Sequence, residues 1–211
     1  MMQKIVIFDM DGTLLDSKED LTIAVNYVRE KNHHLPPLTQ EFVVEAINLY
    51  ERNLPKLFYE TEVYEQRDRE LFEPFYAKQC TQHTKLYDGI LELLEALEQK
   101  GAKMSVATNA PTKFALKMLE SVGVEEKFDF IIGADQVSKS KPDKEMIVKI
   151  LDGYNFNAQQ DKAIVVGDTL KDMQSAKNAQ IEGYFALWGF STKTNFMPSL
   201  KTPMEVLDVL Y

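Results

Sequence analysis

A short apolar run that ends in two carboxylates constrains this chain most. Ile5, Val6, Ile7 and Phe8 are consecutive β-formers, followed at once by Asp9-Met10-Asp11-Gly12-Thr13. Such an uninterrupted apolar run reads as a strand buried on both faces, the kind found in parallel sheets. Ligands of open parallel sheets collect beyond the carboxyl ends of the strands, so Asp9 and Asp11 are expected at the edge where chemistry is done. Gly12 lets the backbone leave the strand sharply, and Thr13 offers a hydroxyl to the turn. Taken alone, such a run is a polar strand-ending turn or a piece of a calcium loop more often than a catalytic site.

The rest of the chain narrows the choice. Four further β-rich runs, at residues 103–108, 128–135, 163–168 and 184–188, alternate with helical patterns. Ile90, Leu91, Leu94 and Leu97 recur at helical spacing before Gly101; Ala115, Leu116, Leu119 and Val122 do so before Gly123, and Met146, Ile147, Ile150 and Leu151 before Gly153. Strand and helix in alternation predict an α/β fold with a doubly wound parallel sheet and helices on both faces. Three of these runs end in Thr108, Asp135 and Asp168, which places polar groups on one rim.

Residues 17–86 break the pattern. They contain no glycine and carry helical stripes such as Leu21, Ala24, Val25 and Val28, then Phe42, Val43, Ala46 and Ile47. This segment is expected to be an all-helical insertion acting as a lid, with residues 1–16 and 87–211 forming the core domain. Its aromatics, Tyr27, Tyr50, Phe58, Tyr59, Phe72, Phe75 and Tyr76, are expected in the core of that small domain, and Leu35-Pro36-Pro37-Leu38 in a turn between two of its helices. His33, His34 and His83 are expected to face solvent rather than bind metal. Residues 189–200 read as loop, and Thr202-Pro203-Met204-Glu205 as the capped start of a last helix with proline first.

Bulk properties exclude several classes. The net charge of −9, with no block of lysine and arginine, argues against nucleic acid or an anionic membrane as partner. No stretch approaches the ~18 apolar residues of a membrane span, and the first apolar run is too short for a signal peptide. One cysteine, Cys80, permits neither an internal disulfide nor a cysteine metal cage, which fits a cytoplasmic protein. The acidity also repels phosphorylated substrates, so a phosphate site here needs a cation and placed lysines.

The polar rim supplies the parts for cleaving a phosphate monoester. Asp9 is suited to attack phosphorus, and Asp11 to protonate the leaving oxygen and then take a proton from water. Asp168 and Asp172, in Gly167-Asp168-Thr169-Leu170-Lys171-Asp172, bring hard oxygen ligands for Mg²⁺. Thr169-Leu170-Lys171-Asp172 is also a capping-box pattern, so Asp172 has two candidate roles. Thr108 and Asn109 offer neutral donors for phosphate oxygens. Lys141 is the best placed positive group, with Lys139 its competitor.

Asp9-Met10-Asp11-Gly12-Thr13, Thr108-Asn109, Lys141-Pro142 and Gly167-Asp168-x-x-x-Asp172, in this order, resemble the four motifs of the haloacid dehalogenase superfamily, in its phosphoglycolate phosphatase-like subgroup. The resemblance implies a Rossmann-like core, a helical cap, Mg²⁺ and a phosphoaspartate intermediate. It further implies that Asp9, Asp168 and the Asp11 backbone carbonyl bind the metal, and that Lys141 steadies nucleophile and phosphate. The expected substrate is a small phosphorylated metabolite, phosphoglycolate first. The cap loop Asn48-Leu49-Tyr50-Glu51-Arg52-Asn53 departs from the glycine-bearing loops of similar enzymes, which leaves the ester open, with Arg52, Asn48 and Lys56 as candidates for meeting an anion. A phosphomutase of the same superfamily and a phosphate-accepting module without turnover are the alternatives. Oligomeric state does not follow from the sequence.

Overall fold

The computed structural model describes residues 2–49, 52–191, 196 and 198–211. The chain divides into two compact units, one of residues 1–16 and 86–211, the other of residues 17–85. In the first unit six parallel strands form one sheet in the order β5-β4-β1-β6-β7-β8. These are β1 (Lys4–Phe8), β4 (Lys103–Ala107), β5 (Phe130–Ile132), β6 (Lys162–Gly167), β7 (Glu182–Ala186) and β8 (Ser199–Leu200). A two-stranded ribbon pairs β2 (Leu15–Asp16) with β3 (Lys85–Leu86).

From β1 the chain builds outward through β4 and β5, then returns to the other flank of β1 and builds outward again through β6, β7 and β8. The order therefore reverses at β1, which opens a crevice at its carboxyl end. Both faces of β1 are covered. Ile5 and Ile7 pack with Met146, Ile147 and Ile150 of α7 (Glu145–Gly153), while Val6 and Phe8, on the opposite face, are just as fully buried. That is why the strand carries no alternation.

The helical stripes are shifted in two places. In α5 (Ile90–Gln99) the buried face is Ile90, Leu93, Leu94 and Leu97, and Leu91 is 42% exposed. In α6 (Thr112–Ser121) Phe114, Ala115, Met118 and Leu119 are buried and Leu116 is exposed. The strand bounds also differ from the sequence reading. The run at 128–135 keeps only three strand residues, and Asp135 accepts bonds from Thr112 N at 2.6 Å and Thr112 Oγ1 at 2.8 Å, tying the start of α6 rather than joining the rim. The stretch expected to be loop contains β8. The last helix, α9 (Glu205–Leu210), starts beyond Pro203, and the expected box is not closed: the Glu205 carboxylate accepts from Lys201 N at 2.9 Å and from Thr202 Oγ1 at 3.5 Å.

The second unit holds α1 (Lys18–Val28), α2 (Gln40–Asn48), α3 (Leu54–Tyr59) and α4 (Gln66–Gln79), with one wider turn at Arg29–His33. Val25, Val28, Val43, Ala46, Phe58 and Tyr59 form its core. Tyr27 stacks on Phe75 at 3.9 Å and Phe72 on Tyr76 at 5.0 Å; Tyr50 lies outside the described residues. His33 does not face solvent: its ring is 6% exposed, stacked on Tyr59 and 2.7 Å from Asp68 Oδ1. Phe42 of the predicted stripe is exposed. Among the described residues no helix is long and apolar enough to cross a membrane.

Asp20 ties the two ends of this unit together. Fully buried, it accepts from Gln79 Nε2 at 2.8 Å, from His83 N and Thr84 N at 2.9 Å each and from Thr84 Oγ1 at 3.0 Å, and it meets His83 Nδ1 at 2.8 Å. Burial alone would raise its pKa, but the bonds from His83, Gln79 and Thr84 outweigh that and lower it. Asp20→Ala leaves these donors without their acceptor and is expected to cost about 3 kcal/mol in urea unfolding; an unchanged midpoint would show that the carboxylate carries no such weight.

Candidate active site

The site grows from the carboxyl ends of β1, β4 and β6. Phe8 is in register with Val106 and Val166, so Asp9, Ala107 and Gly167 arrive together at the rim. Asp9 N still donates to Val166 O at 2.8 Å, one residue past the strand. The chain then turns tightly: Leu14 N and Leu15 N both donate to Met10 O at 2.9 Å, and Gly12 N donates to Leu15 O at 2.9 Å. Gly12 has φ +82°, and a Cβ there would fall 2.4 Å from Asp168 Oδ2. Only glycine satisfies both conditions.

Lys141 is the hub. Its buried ammonium lies 2.7 Å from Asp9 Oδ1, 2.6 Å from Asp172 Oδ1 and 2.7 Å from Ala107 O, so all three N–H donors are used. Asn109 holds the lysine's backbone from both sides, accepting from Lys141 N and donating to Lys141 O, each at 3.0 Å. The carboxamide that the sequence offers to phosphate oxygens thus fixes the lysine's backbone with its Oδ1 and one of its two N–H donors. Lys139, the competitor, is exposed, and its backbone N binds Glu145.

Asp172 is the third residue of α8 (Leu170–Asn178) and performs a second task there. Its Oδ2 accepts from Thr169 N at 3.0 Å and Thr169 Oγ1 at 2.5 Å, the capping box read in the sequence, while Oδ1 faces Lys141. Asp168 is wholly buried and accepts from Thr13 Oγ1 at 3.4 Å and Phe190 N at 3.1 Å. Asp11 is partly exposed and sits in the same turn, bridged to Leu15. Thr108 is buried; its Oγ1 accepts from Ala110 N at 3.1 Å, so its own proton is left to donate.

The loop after β7 was not foreseen as part of the site. Trp188 Nε1 donates to Thr13 O at 2.9 Å, Phe190 N reaches Asp168, and a Cβ on Gly189 would lie 1.7 Å from Gly12 O. Gly189 was the available signal, a glycine one residue beyond a strand-like run. In the helical unit, Arg52 has its pKa lowered by burial, with the Tyr64 phenol opposing. Lys56 is exposed and pairs with Glu62 at 2.7 Å. Asn48 is the last residue of α2; Tyr50 and Glu51 of the same loop lie outside the described residues.

The charges do not balance. Oxygens of Asp9, Asp168 and Asp172 lie within 4.8 Å of one another, all buried, against one ammonium. Burial, then the charge of Asp172, raises the Asp9 pKa to about 7 despite Lys141; burial, then Asp9 and Asp172, raises that of Asp168 well above its usual range. Three hard oxygen donors crowded at this spacing fit a divalent cation such as Mg²⁺. Among the described residues no hydrogen bond falls on Asp9 Oδ2, whereas both oxygens of Asp172 are engaged.

The family model of haloacid dehalogenase-like hydrolases matches residues 6–186. A phosphoglycolate phosphatase of Aquifex aeolicus is 28% identical over 98% of this chain and 96% of its own length. An N-acetylmuramic acid 6-phosphate phosphatase of Pseudomonas aeruginosa is 30% identical over all of this chain and 96% of its own. Among solved structures, a candidate phosphoglycolate phosphatase from Lactobacillus delbrueckii superposes with a TM-score of 0.83 at 28% identity, covering 100% of this chain and 99% of that one. A candidate β-phosphoglucomutase from Thermotoga maritima gives 0.73 at 27% identity, covering 99% and 98%. The chain belongs to the haloacid dehalogenase-like hydrolases. Within that family it is similar to the phosphoglycolate phosphatases.

The raised carboxylate pKa values have a stability consequence whose sign is fixed. Between the ordinary value of 3.8 and about 7, folded Asp9 keeps a proton that the unfolded chain has lost, so its contribution to stability falls as pH rises through that window. A cation that replaces the proton reverses the loss. The gain in melting temperature on adding Mg²⁺ is therefore expected to be larger at about pH 7.5 than at about pH 5.5; an equal gain at both would contradict this electrostatic account.

Proposed function

We propose that this protein is a Mg²⁺-dependent phosphatase that hydrolyses a small phosphorylated metabolite in the cytoplasm through an aspartyl-phosphate on Asp9. The observation that carries this reading is the buried Lys141 ammonium, which ties Asp9 to Asp172 beside Asp168 at the sheet's carboxyl edge. Lys141 favours the ionised form of Asp9 and fixes Oδ1, leaving Oδ2 to attack phosphorus. As the P–O ester bond breaks, the Asp11 carboxyl gives its proton to the departing alkoxide. Asp11, now a carboxylate, takes a proton from water; the water oxygen attacks the aspartyl-phosphate, releasing inorganic phosphate and restoring Asp9. The Thr108 hydroxyl donates to a phosphoryl oxygen, while Asn109 acts by holding Lys141.

Asp9, Asp168 and the Asp11 backbone carbonyl would hold the Mg²⁺, which when bound offsets the negative charge shared by carboxylates and phosphate. Asp172 spends one oxygen on Lys141 and the other on Thr169, so its assignment is first to anchor the lysine and the start of α8. The helical insertion is assigned to reading the leaving group. Phosphoglycolate and N-acetylmuramic acid 6-phosphate, named in the relatives, are both phosphate esters of an alcohol that also carries a carboxylate, and Arg52 is the candidate for meeting such a carboxylate.

Release of inorganic phosphate from a panel of phosphorylated acids and sugars tests this. With Mg²⁺ the protein should turn over, and with chelator it should stop. Asp9→Asn should reduce the rate to background, and Asp11→Asn should lower kcat by about 10²–10⁴-fold while keeping part of the Mg²⁺ affinity. Full activity in either variant would show the roles to be misassigned; conversion to an isomer without phosphate release would support a mutase, and stoichiometric labelling without turnover a phosphate-accepting module.

A further inference from the structure

Tyr87 stands where the chain re-enters the core unit, directly after β3. Its backbone is fixed, N donating to Leu14 O at 3.1 Å and O accepting from Ile90 N at 3.1 Å. Its hydroxyl oxygen is buried and has no hydrogen-bond partner among the described residues. Burial, then the charges of Asp16, Asp168 and Asp11, hold the phenol protonated, so it stays a donor at working pH. All four residues belong to the core unit. A buried hydroxyl without an acceptor is unfavourable, and phenylalanine would fill the same space without that cost.

We infer that Tyr87 is a positioning residue for the cation site: its hydroxyl donates, through one ordered water, to the acidic group of Asp11, Asp16 and Asp168, and keeps these side chains aligned. A buried water needs two to four polar partners, and the phenol, whose backbone is held beside Leu14 of the Asp11 turn, together with the carboxylates whose charges act on it would supply them. Partners of this outer kind orient the groups that meet a metal and set its affinity. The inference rests on the proposed Mg²⁺-dependent reading and names a residue that none of the four motifs contains.

The test compares Tyr87→Phe with the unaltered protein by Mn²⁺ titration, free ion being read by electron paramagnetic resonance, and by melting of the metal-free proteins. The variant should bind Mn²⁺ about 10-fold more weakly, with a metal-free melting temperature equal to or above that of the parent. Equal Mn²⁺ affinity would overturn the inference. So would a lower metal-free melting temperature or a failure to fold, since either makes the hydroxyl a structural bond. If the unaltered protein binds no Mn²⁺, the phosphatase reading itself fails, and the two failures are told apart.

Discussion

One ammonium group joins the parts of the core on which the site depends. Lys141 Nζ touches the last carbonyl of β4, the carboxylate that follows β1 and the carboxylate in the first turn of the helix that follows β6. Those three strands are adjacent only because the sheet order reverses at β1. Buried ion pairs give little net stability but are costly to break, since removing one partner strands the other's charge. The lysine therefore specifies a geometry more than it adds stability, and Asn109 is committed to keeping its backbone in place.

The same crowding that fixes the geometry leaves the site acidic. Three buried carboxylates oppose one fixed positive charge, and two of them hold protons more tightly than free aspartate does. Gly12 and Gly189 let backbone from two loops press against Asp168, so the acid is enclosed by main chain and accepts hydrogen bonds from Thr13, Phe190 and the Ser191 backbone. An enclosed surplus of negative charge is a poor resting state and a good receptor for a divalent ion. The low dielectric that raises the carboxylate pKa values would strengthen each contact to that ion and to a phosphoryl group.

Much of this was legible in the residues themselves. The unbroken apolar run of β1 announced a strand buried on both faces; Asp9 and Asp168 stood out because charged groups next to such runs must end on the rim, and Lys141 because Pro142 and Asp143 follow it. Asp172 showed its capping role through the Thr-x-x-Asp spacing. What was not legible depended on tertiary contacts. Leu91 and Leu93 both fit a helical stripe, and only the position of the sheet decides which one is buried. That Asn109 holds Lys141 was hidden because nothing in a linear reading reveals that the Lys141 backbone lies beside it. His33 was expected at the surface since Asp68 and Tyr59 are distant in sequence. The loop from Trp188 to Phe190 carried too little pattern to connect it with residues near the other end of the chain.

The central claim is that the acids of β1 and β6 share one divalent ion beside a lysine that never leaves them. Anomalous diffraction from crystals soaked in Mn²⁺ tests it most directly. The account predicts a single strong peak bonded to both Asp9 and Asp168 at about 2.1 Å, with Lys141 still bridging Asp9 and Asp172. A peak elsewhere, or an ion held by only one of the two acids, would contradict it.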